Sequence, residues 1–433
     1  MEAKLPEGGV PDMRMIKITA SASPLALPAR PAGAAIADGW SLPATTSARD
    51  TRPTVLHFIH TIGGGGAEAM LVSLASSLSS ARFRSVVVAV TAKPWPHLVR
   101  RLTEAGVTVH DLEGSAFLQP ATLSRLRAVL RAERPDIVQT WMHHADLIGG
   151  WMARLAGVRR VVWSVHCREI HRNPGDSDRK TAVFRQALGL SSRFIPSRVV
   201  SCSAAAMEDH AALGYPRARM RWIPNGIDAE LFKPDANAAL DTREDLKLPR
   251  HVPVVGFVGR FHEMKDLATF LRAAALLQAR LPQAHFVLCG GVEVQMSEEE
   301  RALLDLLPHR DQVRFESFRP DPWRLYPALN VFSLSSRTEA CPMTVIEAMA
   351  CGVPCVTTDV GDCARLLEGV GLVVPARDPD ALAAAWEKTL RLPPLDCQGV
   401  RERSRQRVLE HFSIAQVAHQ YAETYTELLE GRK

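Results

Sequence analysis

The 433-residue sequence has no apolar run that approaches the ~20 residues of a membrane-spanning helix. Its one apolar stretch near the start, residues 20–37, is interrupted by Pro24, Pro28 and Pro31, so it does not resemble a secretory signal. The eight cysteines form no CxxC pair and no regular spacing, which argues against a zinc site or a disulfide framework. We therefore expect reduced thiols and a cytoplasmic protein.

A strong charge of one sign is also absent. The net charge is +5, and the arginines are spread along the chain rather than gathered into a stripe, which disfavours nucleic-acid binding. The apolar share of 46% and the charged share of 23% are typical of globular proteins. Because single cores stop growing at roughly 250–300 residues, this length predicts two domains.

The chain divides into a leader and two series of apolar runs. Residues 1–52 are rich in Pro, Ala and Ser without a hydrophobic period, which predicts a disordered leader. From Thr54 onward, short apolar runs alternate with longer amphipathic stretches, as in a parallel sheet covered by helices on both faces. The predicted strands are 55–59, 85–91, 108–110, 137–140, 161–165 and 198–202, then 254–258, 285–289, 313–316, 331–334, 353–357 and 372–374.

The turn cluster Pro224-Asn225-Gly226 separates the two series. The fold class is therefore predicted as α/β, with two Rossmann-like domains facing across a cleft. The predicted boundaries are 53–224 for the N-terminal domain and 225–400 for the C-terminal domain. Residues 401–433 are predicted as a helix that packs back on the first domain. Ligands of such sheets bind outside the carboxyl ends of the strands, which points to the cleft.

The segment from Glu339 to Gly352 has the pattern of a short helix in this cleft. Pro342 suits the first helical turn, and Gly352 suits the cap that follows the helix. The free N–H groups at the helix start would attract a phosphate. Glu339 before the helix and Glu347 within it suit the hydroxyl groups of a ribose or sugar diol. The alternative is that both are ordinary surface acids.

A second constellation follows the predicted strand 254–258, where Gly259-Arg260 is followed by Lys265. Both cations fall at the carboxyl end of the strand, where a diphosphate would bind. Arg holds two phosphate oxygens at once and Lys supplies a point charge, so the pair could neutralise a leaving diphosphate without a metal ion. The alternative is a surface ion pair of Lys265 with Glu263 or Asp266.

Taken together, the segments 63–68, 223–228, 259–265 and 339–352 resemble the retaining glycosyltransferases of family 4, which have the GT-B fold. The resemblance extends over about residues 54–420. It implies that Arg260 and Lys265 hold the donor diphosphate, that Glu347 holds the nucleotide ribose and that Glu339 contacts the transferred sugar. The donor-binding residues predicted in this way are Gly65, Gly66, Arg260, Lys265, Glu339, Pro342, Met343, Thr344 and Glu347.

The glycine run Gly63–Gly66 follows the first predicted strand and opens a helix, so its backbone can approach an anionic group closely. The resemblance places Gly65 and Gly66 near the donor phosphate and the acceptor. The run also fits a G-x-G-x-x-A dinucleotide pattern, but the acid expected roughly 20 residues later is missing, which disfavours a dehydrogenase. The alternative is a tight turn without a ligand.

His166 follows the predicted strand 161–165 at a place where the family commonly has a histidine near the transferred sugar. As a neutral imidazole it can donate or accept a hydrogen bond there. The predicted catalytic residues are His166, Arg260, Lys265 and Glu339. The triplet Asp176-Ser-Asp178 resembles a metal-binding motif, but it lies in a Pro/Gly-rich segment and is predicted to be a solvated turn. No metal and no cofactor are expected.

Residues 179–194 alternate cations with apolar side chains at nearly helical spacing. Two interpretations stay open, namely a face that lies on an anionic membrane and a surface helix that covers the N-terminal core. We expect a cytoplasmic protein whose membrane contact, if it has one, is peripheral and at the inner face of the membrane.

The predicted reaction transfers a sugar from a nucleoside diphosphate sugar to an acceptor hydroxyl. The family resemblance implies retention of configuration, with the departing phosphate taking the acceptor proton. Analogy also suggests polysaccharide or glycolipid assembly with a lipid-linked acceptor. The alternatives are a GT-B epimerase or phosphorylase, and a non-catalytic subunit that binds a sugar nucleotide.

Overall fold

The computed structural model describes residues 50–79, 82–92, 95–169, 177–319 and 321–431. The predicted leader lies outside these ranges except for its last three residues. In the described chain, two parallel sheets form, each with helices on its faces. The predicted α/β architecture is therefore confirmed.

The first sheet contains seven strands in the order β3-β2-β1-β4-β5-β6-β7 among the described residues. Its central strands are nearly continuous apolar runs because helices cover both faces of the sheet. All neighbouring strands pair in parallel. Their bounds are β1 Thr54–Thr61, β2 Arg84–Thr91, β3 Thr108–Asp111, β4 Ile137–Trp141, β5 Val161–Val165, β6 Arg198–Ser201 and β7 Met220–Trp222.

The second sheet has the order β10-β9-β8-β11-β12-β13 and is again parallel. The order reverses direction at β8, as it does at β1 in the first sheet, and such switch points are where open α/β sheets bind ligands. The bounds are β8 Val254–Val258, β9 His285–Cys289, β10 Val313–Glu316, β11 Val331–Leu334, β12 Cys355–Thr358 and β13 Leu372–Val374.

Helices connect successive strands on both faces of each sheet. A π-helical turn over Ala145–Gly149 leads into α4. In the described ranges, no helix combines the length and the apolar character needed to cross a bilayer. The helices are α1 Gly66–Ser79, α2 Pro96–Glu104, α3 Pro120–Glu133, α4 Gly150–Leu155, α5 Asp178–Ser191, α6 Ala204–Ala212, α7 Ala236–Asp245, α8 Leu267–Arg280, α9 Glu298–Asp305, α10 Met343–Ala350, α11 Cys363–Leu366, α12 Pro379–Leu390, α13 Pro394–His411 and α14 Ile414–Leu429.

The C-terminal stretch predicted as a single helix is two helices, because the chain bends at Phe412 and Ser413 between α13 and α14. Helix α13 contacts α10 in the second domain, whereas α14 crosses to the first domain and contacts α1. Tyr421 and Tyr425 of α14 are fully buried there. The first domain is thus completed by residues from the far end of the sequence.

The two segments that cross between the domains are hydrogen-bonded to each other. The backbone N–H of Ile227 donates to the carbonyl of Phe412 at 2.9 Å, and the N–H of Ile414 donates to the carbonyl of Ile227 at 2.7 Å. Together they form a parallel bridge between Ile227 and Ser413. The chain therefore passes between the two domains twice, and the two passages lie side by side.

A carboxylate of the second domain caps a helix of the first. Asp362, which is 4% exposed, accepts hydrogen bonds from the Ser203 hydroxyl at 2.8 Å and from the backbone N–H groups of Ala204 at 2.9 Å and Ala205 at 3.2 Å. These groups form the N-terminus of α6, whose positive end attracts a carboxylate. Elsewhere on the cleft, Trp95 and Phe318 meet edge to face with centroids 4.8 Å apart.

Candidate active site

Lys265 and Glu339 form a direct ion pair in the second domain. Lys265 ends a 3-10 turn after β8, and its Nζ donates to Glu339 Oε1 at 2.5 Å. The alternative partners Glu263 and Asp266 considered for Lys265 are therefore wrong. Arg260 lies on the same loop and is exposed. Two of the predicted site residues, 74 positions apart, are thus in contact.

The Glu339 carboxylate is held from several sides and is not the exposed loop acid of the alternative interpretation. Its side chain is 12% exposed, and Oε1 also accepts a hydrogen bond from the Ser336 hydroxyl at 2.7 Å. Behind it, Gly361 has φ +57°, and a Cβ on this glycine would lie 2.2 Å from the Glu339 carbonyl oxygen. Only glycine fits this close approach without displacing the loop.

Helix α10 begins directly after this loop. Pro342 lies at the N-cap, one residue before the helix, rather than in the first turn as predicted. Met343 and Thr344 open the helix, and the Thr344 hydroxyl is buried with no hydrogen-bond partner in the described chain. Gly352 follows the C-cap with φ +69°, as its role after the helix requires. The start of α10 offers unsatisfied N–H groups and its dipole to an anion.

Glu347 projects from α10 toward a buried tyrosine. The Tyr326 hydroxyl donates to Glu347 Oε2 at 2.5 Å. Burial raises the pKa of Glu347 to about 7, and the hydrogen bond from Tyr326 opposes this shift. Burial likewise raises the pKa of Tyr326 well above its usual range. Glu347 is therefore a desolvated acid with a second oxygen available for another donor.

The glycine run of the first domain lies opposite the start of α10. A Cβ on Gly66 would come within 3.4 Å of the Met343 side chain, so the two domains approach each other here. A Cβ on Gly65 would lie 2.3 Å from the Glu68 carboxylate, which folds back over the loop. Burial raises the pKa of Glu68, and the charge of Arg260 across the cleft opposes that rise.

His166 lies just after β5 and reaches the second domain through one intervening side chain. Its Nδ1 is 3.2 Å from Asn225 Oδ1, and Asn225 Nδ2 donates to the Cys341 carbonyl at 2.7 Å. The ring stacks on Trp141 with centroids 4.9 Å apart. Burial lowers the pKa of His166 to about 4, so the imidazole is neutral. Its Nε2 is buried with no partner in the described residues.

The sequence interpretation did not single out Ser336, Tyr326, Asn225 or Gly361 as site residues. Asn225 was noted as part of the interdomain turn and of the segment 223–228 in the family resemblance, but no role in the site was predicted for it. Ser336 follows β11, where the rule for strand ends would have drawn attention to it. Tyr326 and Gly361 carry no such signal, since their partners are set by the packing of the domain.

Within the ranges described, no group of three or more His, Cys, Asp or Glu side chains is arranged to hold a metal ion. Of the triplet 176–178, Asp176 lies outside the described residues. Ser177 caps α5 by accepting a hydrogen bond from the Lys180 backbone, and Asp178 is the first helical residue. Both residues are exposed, as predicted, but they begin a helix rather than form a turn. The eight cysteines all fall in the described part of the chain and are free thiols.

Two family models match this chain, one in each domain. The model for Glycosyltransferase Family 4 matches residues 64–231, and the model for Glycosyl transferases group 1 matches residues 252–391. The two matches are separated by residues 232–251, just after the predicted interdomain boundary, and together include every predicted site residue.

Relatives and solved structures agree with these matches. D-inositol 3-phosphate glycosyltransferase of Thermobispora bispora is 28% identical over 367 residues, covering 79% of this chain and 80% of the relative. The UDP-Gal:alpha-D-GlcNAc-diphosphoundecaprenol alpha-1,3-galactosyltransferase of Escherichia coli is 24% identical over 325 residues, covering 71% and 79%. The structure of Anabaena HepE in complex with UDP-glucose superimposes with a TM-score of 0.73 at 20% identity, covering 86% of this chain and 99% of that one.

These comparisons establish the GT-B fold and support glycosyltransferase activity of the GT-B type.

Proposed function

We propose that this GT-B glycosyltransferase moves a sugar from a nucleoside diphosphate sugar to an acceptor hydroxyl with retention of configuration. The observation that carries the proposal is the Lys265–Glu339 pair beside the start of α10, at the cleft that also receives His166. A cation, a helix N-terminus and carboxylates for hydroxyl groups are what a sugar diphosphate requires.

The donor binds along the second domain. Arg260, Lys265 and the N–H groups at the start of α10 hold the diphosphate, and the buried Thr344 hydroxyl adds a donor at the same end. Glu347 accepts from the ribose hydroxyls. The UDP-glucose complex of the structural neighbour supports a donor of this class. Gly65 and Gly66 leave room for the acceptor and the diphosphate opposite Met343.

The Lys265–Glu339 pair links donor binding to sugar recognition. Lys265 is neutralised by Glu339, whose Oε1 lies 2.5 Å from Lys265 Nζ. A diphosphate carries more charge than one carboxylate, so it competes for Lys265 and leaves Glu339 available for a sugar hydroxyl. During transfer, Lys265, Arg260 and the α10 dipole stabilise the negative charge that develops on the leaving group, usually the largest catalytic effect of such a site. The departing phosphate accepts the proton of the acceptor.

The reaction proceeds without a divalent metal, since cations of the chain take that role. We expect turnover to be unchanged by EDTA and the product to keep the anomeric configuration of the donor, as read by NMR of the product. A requirement for added Mg²⁺ or Mn²⁺, or an inverted product, would contradict the mechanism.

The decisive experiment combines binding with turnover. Thermal shifts with UDP, GDP, ADP and their sugars identify the nucleotide, because a ligand stabilises the folded state according to its affinity. Lys265→Ala is expected to lower kcat by about 10²- to 10³-fold. Lys388→Ala, on the exposed face of α12, is the matched control and should leave kcat unchanged. Sugar release or conversion from the donor alone, at the full rate without an acceptor, would instead indicate another GT-B activity.

A lipid-linked acceptor at the inner face of a membrane fits the surface of the first domain. The Escherichia coli relative acts on a diphosphoundecaprenol-linked sugar, which supports this class. Exposed cations lie on α5 and directly after it, namely Arg179, Lys180, Arg185 and Arg193. Such a segment is attracted to anionic lipid by roughly 1 kcal/mol per cation near the surface.

Exposed apolar side chains gather in the same region. The Trp151 indole N–H donates to the Ser191 hydroxyl at 3.2 Å, and Arg154 Nε donates to the Ile195 carbonyl at 2.9 Å, so α4 lies against the end of α5. We call the surface formed by these exposed apolar residues the apolar face. It consists of Trp151 at 46% exposure, Leu155 at 77%, Leu190 at 62% and Phe194 at 67%.

This face predicts binding to anionic vesicles. The protein should sediment with phosphatidylglycerol vesicles and not with pure phosphatidylcholine. The triple variant Trp151→Ser, Leu190→Ser and Phe194→Ser should bind at least about tenfold more weakly, because each apolar side chain contributes roughly 1.5–3 kcal/mol on burial. The control Val294→Ser with Leu306→Ser removes equally exposed apolar residues of the second domain. Equal loss in both variants would contradict the assignment.

A further inference from the structure

We propose that Asp362 is a positioning residue, through which helix α6 of the first domain sets the position of the Glu339 carboxylate. The inference rests on the proposed function, in which Glu339 contacts the transferred sugar. Asp362 is 4% exposed, so it acts through the loop that carries Glu339 and not on the substrate itself.

The side chain of Asp362 is held by three hydrogen-bond donors of the first domain. Its Oδ1 accepts from the Ser203 hydroxyl at 2.8 Å and from the Ala205 N–H at 3.2 Å, and its Oδ2 accepts from the Ala204 N–H at 2.9 Å. A backbone N–H can only donate, so both carboxylate oxygens act as acceptors. The positive end of the α6 dipole strengthens this contact.

The helix end that supplies these donors is fixed within the first domain. Ser203 is fully buried, and its hydroxyl also accepts from the Ala206 N–H at 3.2 Å, which makes Ser203 the N-cap of α6. The Ser201 hydroxyl, at the end of β6, donates to the Ser203 carbonyl at 2.8 Å. Asp362 is therefore attached, through the start of α6, to the sheet of the first domain.

The backbone of Asp362 is joined to the loop that carries Glu339. Its N–H donates to the Ala340 carbonyl at 2.9 Å, one residue after Glu339. At the preceding residue, a Cβ on Gly361 would lie 2.2 Å from the Glu339 carbonyl oxygen and 2.5 Å from the Ala340 carbonyl oxygen. The two backbone segments touch with no space between them, so a shift of Asp362 is transmitted to Glu339.

Other contacts hold this loop from the second domain and from the interdomain turn. The buried Thr358 hydroxyl, at the end of β12, donates to the Ser336 carbonyl at 2.7 Å. Asn225 Nδ2 donates to the Cys341 carbonyl, also at 2.7 Å. Asp362 adds an attachment to a helix of the first domain, so the position of the sugar contact depends on both domains.

The consequence concerns the sugar end of the donor and not its nucleotide end. In the proposed binding mode, Glu347 holds the ribose and Lys265 holds the diphosphate. Glu347 lies on α10 and Lys265 in the turn after β8, so both are placed by elements of the second domain. Loss of the Asp362 contact should therefore weaken recognition and transfer of the sugar without lowering the affinity for the nucleoside diphosphate.

Asp362→Asn tests this link because it keeps the shape of the side chain but replaces one carboxylate oxygen by an NH₂ group. In either orientation of the amide this group faces a backbone N–H, that of Ala204 or that of Ala205, so the contact with α6 is broken. We expect kcat for transfer to fall at least about tenfold, since a misplacement of ~1 Å can cost roughly 10²-fold.

Binding is measured on the same protein by titration calorimetry with UDP, GDP and ADP and with UDP-glucose, GDP-mannose and ADP-glucose. In Asp362→Asn, the Kd of the nucleotide that binds should stay unchanged. The sugar nucleotide should lose the additional affinity that its sugar provides in the wild type.

Asp235→Asn is the matched control, because the Asp235 carboxylate caps α7 by accepting from two backbone N–H groups at an exposed position. It should leave kcat unchanged. Ser203→Ala tests the same link from the first domain and should lower kcat by a smaller factor than Asp362→Asn, because the two backbone donors remain. All assays are run well below the melting temperature of each variant, so that loss of stability does not enter kcat.

A double-mutant cycle with Glu339→Gln separates positioning from general damage. If Asp362 acts through Glu339, adding Asp362→Asn to Glu339→Gln should lower kcat little further, whereas the losses multiply when two sites are independent. Multiplied losses, full kcat in folded Asp362→Asn, or a fall in nucleotide affinity as large as the fall in kcat would each overturn the proposal and leave glycosyl transfer in place. A wild type that transfers no sugar would refute the proposed function, and the calorimetric comparison would still decide the role of Asp362.

Discussion

Replacing Glu347 by Gln removes a half-buried charge while keeping the side-chain shape and an acceptor for the Tyr326 hydroxyl. In the folded protein, burial raises the pKa of Glu347 from 4.5 to about 7. A raised pKa means that the folded state holds the proton more tightly than the unfolded chain. The stability associated with that proton is fully present below pH 4.5 and is lost as the pH rises through 7.

The magnitude follows from the size of the shift. One pH unit corresponds to 1.36 kcal/mol, so a rise from 4.5 to about 7 corresponds to at most ~3 kcal/mol. At pH 8 the wild type bears this cost and Glu347→Gln does not, so the variant should be more stable by ~1–3 kcal/mol. Near pH 4.5 the two proteins should be equally stable.

Thermal unfolding at pH 5 and pH 8 measures this difference. About 1 kcal/mol shifts the melting temperature by roughly 2–4 °C for a domain of this size, so the variant should melt several degrees higher at pH 8. Glu244→Gln, at an exposed position on α7, is the control and should show no such dependence. Parallel melting curves of wild type and Glu347→Gln at both pH values would refute the burial argument.

Glu347→Gln should weaken nucleotide binding at pH 8, although it raises the stability of the protein at that pH. In the proposed binding mode the ribose hydroxyls donate to the ionised Glu347 carboxylate, so binding of the preferred nucleoside diphosphate to the wild type should strengthen as the pH rises from 6 to 8. The Gln variant should bind more weakly at pH 8 by roughly 10- to 100-fold, since hydrogen bonds to a charged group contribute about 1.5–3 kcal/mol. Titration calorimetry decides the matter, and equal affinity of both proteins at pH 8 would show that Glu347 does not hold the ribose.

Three further changes test other contacts. Asp362→Asn removes the carboxylate at the start of α6 and should lower the free energy of unfolding by about 1–3 kcal/mol. An unchanged melting temperature would show that this cap does not stabilise the protein. Gly361→Ala should displace the Glu339 loop and lower kcat at least about tenfold, because its Cβ would lie 2.2 Å from a carbonyl oxygen at φ +57°. Tyr326→Phe removes a hydrogen bond that lowers the pKa of Glu347, so the rise of nucleotide affinity with pH should move to higher pH, and an unmoved profile would contradict the assignment.

The strands were predicted almost to the residue, and their burial explains why. A parallel strand covered on both faces is an unbroken apolar run, as in β8 and β9, whose predicted and observed bounds agree. Strand β7 was missed because Met220–Trp222 is three half-buried residues with a charge in the middle. The break between α13 and α14 was missed because neither Gly nor Pro marks it.

The candidate site could be predicted only in part. Spacing placed Lys265 and Glu339 at strand ends that share an edge, but their contact depends on how the loops after β8 and β11 fold. The contact of Asn225 could not be predicted, because its partner is a backbone carbonyl of the second domain. Every residue has such a carbonyl, so the pattern of residue types does not indicate it. Long-range contacts to backbone atoms are the part of a site that composition and periodicity do not encode.

The crossing of α14 determines how the molecule can be taken apart. A fragment that ends near residue 225 contains every strand of the first sheet but lacks α14, so the surface of α1 covered by Tyr421 and Tyr425 would be open to water. Such a half is expected to aggregate when it is expressed alone, since large uncovered apolar patches promote association. A working exchange of the second domain between relatives would therefore replace only the middle of the gene and keep both ends of the recipient.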